Sequence, residues 1–297
     1  LPISLEEEYK KDTGITPEDI KKLRQWLDTQ PHLPKEHITD LDLILLYHSC
    51  DCSAEVSKQV LDLHYTLRTL FTSFFKDRVV DKNVEKVMKV TLLRDLPGRT
   101  LDGYAVFYGR LTDFEPKNFE FMKAVRTFLM IQDLWQAEEG TWPGFLIVFD
   151  LHGLRLGHLA RLDVQTIQQF LYYLQEAMLV KMKGLHFMNA PSFMDKLMMM
   201  IKPFMKKELL AMVVIHQIGA KTLDRYVPMR LLPKESGGQC GTAAECQGTL
   251  RELRANEAFF LEENKKRVTE SLRPGKPKTI TDIFGGIEGS FKKLDID

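Results

Sequence analysis

The chain has 297 residues, 44% hydrophobic and 28% charged, which is ordinary for a globular protein and enough to bury a sizeable core. Lys+Arg and Asp+Glu both number 41, so the net charge is zero and the basic excess of a general nucleic-acid binder is missing. No run reaches the roughly 18 to 20 apolar residues of a membrane-spanning helix, and the opening LPISLEEEYKKD lacks the charged-then-apolar pattern of a secretory signal.

Residues 1–80 read as an all-helical domain. Thr16-Pro17-Glu18-Asp19 is a helix start, with Thr at the cap, Pro in the first turn and acids beside it. Ile20, Leu23 and Leu27 follow at helical spacing, and QPHLP (30–34) ends that helix. A second helix runs from about Asp40, and Ser53 caps a third with Val56, Val60, Leu63, Leu67 and Leu70 on one side. Four cysteines, Cys50, Cys52, Cys240 and Cys246, are too few for a disulfide framework and point to a reducing, cytoplasmic setting. Cys50-x-Cys52 beside His48 lacks the spacing and further ligands of a zinc site, so no metal or cofactor is expected.

Residues 85–240 change rhythm. Strands are predicted at 104–111, 144–151, 184–191 and 210–217, with helices at about 116–138, 163–182 and 192–209 between them. This alternation predicts an α/β fold with a mostly parallel sheet and crossover helices. Residues 241–297 read as a C-terminal helix, about 249–272, and an extended tail.

Catalytic signatures are missing. There is no G-x-S-x-G elbow, Walker A loop, H-E-x-x-H or kinase set. Gly153 and Gly157 follow a strand but do not form the dinucleotide fingerprint, and Asp150 with His152 lacks a nucleophile. The chain is expected not to be an enzyme.

The stretch Lys196–Met205, KLMMMIKPFM, spends much soft apolar mass on one short helix. Ser192 with Asp195 predicts a capping-box-like start. At about 100° per residue, Phe193, Met194, Leu197, Met198, Met200, Ile201, Phe204 and Met205 share one broad arc. Met199 falls instead among Asp195, Lys196 and Lys202, and Pro203 should end or kink the helix near Lys202.

Three segments occur in order: GLHFMNAP (184–191), a strand ending in Asn-x-Pro; the helix containing I-K-P-F (201–204); and LPKESGG (232–238). With FDLHG (149–153), they resemble the CRAL-TRIO lipid-binding family, in the branch near the tocopherol-transfer and retinaldehyde-binding proteins. Ser236 stands where that family's motif usually has Tyr. The resemblance implies an N-terminal helical bundle followed by a sheet floor, surrounding helices and a mobile lid helix. It implies a monomeric cytoplasmic carrier that binds one tocopherol-, retinoid- or carotenoid-like lipid and exchanges it transiently at membranes. A phosphoinositide-sensing regulatory module is the alternative.

Carried across by position, the implied lipid wall is Thr127, Ile131, Phe145, Ile147, Phe149, Leu162, Phe170, Tyr173, Leu174, Met178, Met182 and Leu185, with the Thr127 and Tyr173 hydroxyls orienting a polar head. The implied lid comprises Met194, Leu197, Met198, Met199, Met200, Ile201, Phe204 and Met205. Lys181 and Lys183 match basic positions that hold a phosphoinositide headgroup in the tocopherol branch. Gln59, Glu208 and Met212 occupy three further such positions, and Lys58, Lys206 and Lys207 lie nearby as substitutes.

Overall fold

A computed structural model describes residues 1–285. In the N-terminal helices, the predicted Thr16 cap forms, and a second, unpredicted one forms at Thr39. The Thr16 backbone N–H donates to Asp19 at 2.9 Å while the Thr16 hydroxyl accepts from the Asp19 N–H, opening the helix Pro17–Leu27. Thr39 and Asp42 repeat the box at the helix Asp40–Ser49. Two orphan backbone donors are satisfied reciprocally at each start. Ser53 caps the helix Ala54–Leu70. Its buried stripe differs from the expected one: Val56 is 46% exposed, and Leu61, His64, Tyr65, Leu67 and Arg68 face inward. Polar His64 and Arg68 belong to the core side because they find buried partners there.

The sheet has five strands, β1 (Thr91–Asp95), β2 (Ala105–Leu111), β3 (Phe145–Asp150), β4 (Met182–Ala190) and β5 (Val213–Gln217), in the order β1-β2-β3-β4-β5. β1 pairs antiparallel with β2, and the other neighbours are parallel. Crossover helices Phe121–Glu139 and Val164–Glu176 connect β2 to β3 and β3 to β4. Successive side chains in a strand point to opposite faces. Phe107, Ile147, Leu185 and Phe187 thus join the large apolar cluster beneath the helices. Val106, Tyr108, Leu146, Val148 and Met188 pack on the other face with Leu223, Val227 and Leu232.

Several predicted boundaries move. The helix expected at 163–182 stops at Glu176, and β4 begins at Met182 rather than at 184. The helix expected at 192–209 is Met194–Ile201, then a 3-10 turn Lys202–Phe204, then the short helix Lys207–Leu210. Pro203 lies inside the 3-10 turn, consistent with its missing backbone donor. The expected start at Ser192 is corrected: the cap residue is Phe193 and no side chain caps it. The helix expected at about 249–272 is Thr249–Ala255 and Glu257–Glu263, divided at Asn256. Beyond it, Phe284 is buried, stacked on Phe71 with ring centres 6.0 Å apart. The last twelve positions of the expected tail lie outside the described residues.

A buried ionic cluster ties three regions of the chain together. Asp133, on the helix Phe121–Glu139, accepts from Arg68 at 2.8 Å, and Arg78 Nη1 lies 2.8 Å from the same carboxylate. Arg68 also reaches Glu263 at 3.3 Å; Lys266 pairs with Glu263 and, at 2.8 Å, with Asp42. Burial works against ionising Asp133, but the two guanidinium groups outweigh it and hold its carboxyl well below the usual range.

His64 is buried beside this cluster, its Nδ1 2.7 Å from the Ala177 carbonyl. Burial, and then the Arg68 charge, lower its pKa from 6.5 to about 3. As pH falls below about 6.5, the unfolded chain binds a proton that the folded chain refuses, so stability drops on acidification. The linkage relation gives a loss of about 2 kcal/mol from His64 by pH 5. Denaturant unfolding at pH 7 and pH 5 should show it, and His64→Gln should shrink the difference. An unchanged difference would contradict this assignment.

Candidate functional site

A cavity of about 220 Å³ lies between the sheet and its helices, toward the carboxyl ends of the parallel strands. In open parallel sheets, ligand sites collect at those ends. Leu93, Gly109, Ile147, Phe149, Leu185 and Phe187 form the floor. The first crossover helix contributes Phe121, Ala124, Val125 and Phe128, and the second Ile167, Phe170, Leu171 and Leu174. Leu197, Ile201 and Met205 close the roof. Gly109 fits closely into the floor: a Cβ there would lie 3.0 Å from the Leu93 side chain and 3.1 Å from the Phe149 ring, so those side chains would have to give.

The polar groups around the cavity are mostly engaged, although the buried Arg110 Nη1 makes no hydrogen bond. The Thr91 hydroxyl donates to the Val87 carbonyl at 2.8 Å. Arg110 and Asp150 fall on the strand positions that alternate away from the floor, and Arg110 Nη1 lies 3.7 Å from the Asp150 carboxylate. The remaining lining is hydrocarbon and aromatic. Such a wall holds an apolar body by burial, and it presents no nucleophile against a base. Among the described residues, no group of three His, Cys, Asp or Glu is arranged to hold a metal ion.

The structure sorts the sequence-predicted wall into two sets. Ile147, Phe149, Leu162, Phe170, Leu174 and Leu185 line the cavity. Ile131, Phe145, Met178 and Met182 pack in or against the same apolar cluster but outside that lining. Phe145 stacks instead on Trp142, with ring centres 5.6 Å apart. The expected role of the two hydroxyls is corrected. Thr127 donates to the Lys123 carbonyl of its own helix at 2.9 Å, and the Tyr173 hydroxyl accepts from Arg68 at 3.1 Å. Neither lines the cavity. Phe121, Ala124, Val125, Phe128, Ile167, Leu171 and Phe187 were missed, although the i, i+3, i+4 spacing of the first four was a readable signal.

The roof segment carries apolar groups on two sides. Leu197, Ile201 and Met205 face the cavity, while Met194, Met198 and Met199 border an open groove with Ile215 and Ile218 from β5 and the turn after it. Met200 and Phe204 are half-buried against the core. Met199 is 73% exposed, as its helical phase predicted, and Ile218 is 74% exposed beside the same groove. The C-terminal end of the roof is fastened by one side chain: Gln175 donates to the Phe204 carbonyl at 2.8 Å and accepts from the Lys206 N–H at 2.7 Å.

The Asn-x-Pro motif has a physical role at the other end. Asn189 takes a left-handed φ of 50°, which asparagine tolerates better than most residues. Its side chain donates to Asp150 at 2.8 Å and accepts from the Gly219 N–H at 2.9 Å, joining β3 and β4 to the turn after β5. Asp150 also accepts from Ser236, whose hydroxyl meets that of Tyr108. Asp150 is therefore a buried structural node. His152 meets it through its backbone N–H only and keeps its ring exposed.

The four lysines are in different circumstances. Lys181 pairs with Asp51 at 3.1 Å, and Lys206 pairs with Glu176. Lys183 lies 5.8 Å from the Tyr104 ring centre, and Lys207 is exposed.

Residues 93–238 match the family described as CRAL/TRIO domain, and residues 13–84 match the one described as Pinta-like, UBA domain. Over those central residues the chain carries a CRAL-TRIO domain. Its curated relatives include alpha-tocopherol transfer protein-like from Homo sapiens, 27% identical over 68% of this chain and 54% of that protein. The Mus musculus protein of the same name is 25% identical over 60% of this chain and 52% of its own length. Clavesin-1 of Mus musculus is 21% identical over 78% and 66%. The chain spans about half the length of the tocopherol-transfer-like relatives it matches. A solved structure titled "Crystal structure of Sfh5" covers 94% of this chain and 99% of its own, at 12% identity and a TM-score of 0.44.

Proposed function

We propose that this chain is a non-enzymatic carrier that takes one small hydrophobic lipid into the cavity and exchanges it at a membrane when the Met194–Ile201 helix swings outward. The observation that carries this reading is a hydrocarbon-walled cavity roofed by a short helix that is apolar on its outer side too. The names of the tocopherol-transfer-like relatives agree with it. At about 220 Å³ the cavity is smaller than the roughly 300–1,000 Å³ of typical ligand pockets. A lipid of tocopherol, retinoid or carotenoid size therefore needs Leu197, Ile201 and Met205 to withdraw.

Met199, Ile215 and Ile218 supply the surface for bilayer contact. Lys202 borders the same groove, while Lys181, Lys183, Lys206 and Lys207 add general attraction to anionic lipid. The carrier works as a single chain from the aqueous phase. Exposed apolar residues flanked by cations are the composition of an interfacial element.

Transfer of a fluorescent hydrophobic lipid between vesicles tests the lid surface. Met199→Asp and Ile218→Asp should each slow transfer about tenfold, because a carboxylate resists entry into the headgroup boundary. Both positions are exposed, so unfolding midpoints should hold. Unchanged transfer in the double variant would contradict the proposal.

A further inference from the structure

The roof segment is held between two neighbouring strands: the chain leaves β4 at Ala190, passes through the roof and enters β5 at Val213. β5 is an edge strand that pairs with β4, through a ladder whose register shifts between Phe187 and Ala190. Each of these two strands carries a buried histidine. His186 alternates with Leu185 and Phe187 of the cavity floor and so lies on the opposite face. His186 and His216 are 1% and 2% exposed, and their rings stack with centres 5.3 Å apart. His186 Nδ1 lies 3.0 Å from His216 Nε2, and His216 Nδ1 lies 2.6 Å from the Thr222 hydroxyl, just beyond the turn that carries Ile218. Gly184 leaves room for the first ring, since a Cβ there would come within 2.9 Å of His186 Nε2.

This contact needs neutral rings, because one nitrogen must donate and the other accept. One added proton places a cation in a buried site, and a second sets N–H against N–H and breaks the contact. The surroundings do not offset that cost. Tyr226 packs on both rings, with centres 4.7 and 6.2 Å away. Around Tyr226 stand three cations, Lys183 (the extra residue of a bulge against β3), Arg225 and Arg230, and two acids, Asp102 and Asp224. Asp224 accepts from the Met229 N–H at 2.8 Å. Among the described residues, neither imidazole has a carboxylate within 4.0 Å. Burial, and then the charge of His216, lower the pKa of His186 from 6.5 to about 4, and burial lowers that of His216. The unpaired rings therefore take up protons that the paired rings refuse, and the contact weakens as pH falls from about 6.5 towards 4.

We propose that the His186–His216 pair is an acid-sensitive clasp that opens the β4–β5 base of the roof and speeds release of the cargo. The cargo is that of the carrier reading, on which this role rests. Opening frees the end of the roof that enters β5, and it moves the strand that carries Ile215 and leads to Ile218. The Asn189–Gly219 bond then remains as a tie on that turn.

Hydrogen exchange of the full chain, corrected for the pH dependence of intrinsic exchange, reads the clasp without any cargo. The amides of residues 213–219 should exchange at least tenfold faster at pH 5 than at pH 7, the effect that linkage to His186 alone supplies. Those of β2 and β3 should stay protected. Release of a bound fluorescent hydrophobic lipid to phosphatidylcholine vesicles should quicken at least fivefold over the same interval. His186→Phe/His216→Leu removes both titrating rings and should flatten both responses, whereas His64→Gln should keep both. The wild-type exchange result decides the matter even where the double variant fails to fold. Unchanged protection of residues 213–219 at pH 5 would overturn the clasp, as would a pH response retained in the double variant. Loosening of β5 without faster release would overturn its coupling to the roof. A chain that takes up no lipid yet loosens β5 at pH 5 would contradict the carrier reading and support the clasp.

Discussion

Replacing Asp133 with alanine should destabilise the protein by about 3–5 kcal/mol, the usual cost of leaving a buried charge without its partner. Arg68 and Arg78 are 5% and 1% exposed, and both converge on this one carboxylate. Without it, Arg68 retains Glu263 and the Tyr173 hydroxyl, while Arg78 loses its ion partner in the cluster. Arg78 Nη1 already lies off the line of a hydrogen bond to Asp133, so its contribution is mainly charge. Asp133→Asn should fall between wild type and alanine, because it keeps the shape and loses the charge. Chemical denaturation reads the effect, and a loss below about 1 kcal/mol would show that the cluster is not the brace described. The consequence extends beyond stability. The cluster joins the N-terminal helix carrying Arg68, the cavity helix carrying Asp133 and the C-terminal helix carrying Glu263. Loosening it should shift the cavity wall itself.

Ala124→Trp should abolish uptake of a hydrophobic lipid while leaving the fold intact. Ala124 lies on the cavity-lining helix opposite the sheet floor, with Phe121, Val125 and Phe128 around it. An indole there takes up much of a space of only about 220 Å³. Filling an apolar cavity adds packing contacts, whereas overpacking a tight core costs about 1–3 kcal/mol. Titration with a fluorescent fatty or prenyl lipid should show wild-type saturation and at least a tenfold loss in the variant, with little change in unfolding midpoint. Retained uptake would place the lipid elsewhere.

The main architecture was legible because its signals are local. Four of the five strands are compact apolar runs bounded by turn residues, and the Thr16 cap is written within four residues. β1 was not legible: TLLRD is five residues long, ends in two charges and pairs at one edge of the sheet. The roof helix's exposed residue was legible, since helical phase alone sets Met199 among charges. Its neighbours Ile215 and Ile218 were not, because the groove forms only when β5 packs beside β4. Tyr173 misled for a related reason. The resemblance placed it in the lipid wall with its hydroxyl toward a polar head, but Arg68, 105 positions away, claims that hydroxyl. The bulge at Lys183 was equally hidden, since an inserted residue has no mark until both strands are in register.

Native mass spectrometry of the purified full chain, gently desolvated and then stripped of bound small molecules in organic solvent, tests the carrier assignment most directly. The account predicts one hydrophobic lipid per chain in wild type, recovered in the extract, and none in Ala124→Trp. A wild-type chain that neither retains such a lipid nor takes one up after incubation with vesicles would contradict it. Equal lipid occupancy in wild type and Ala124→Trp would contradict it too.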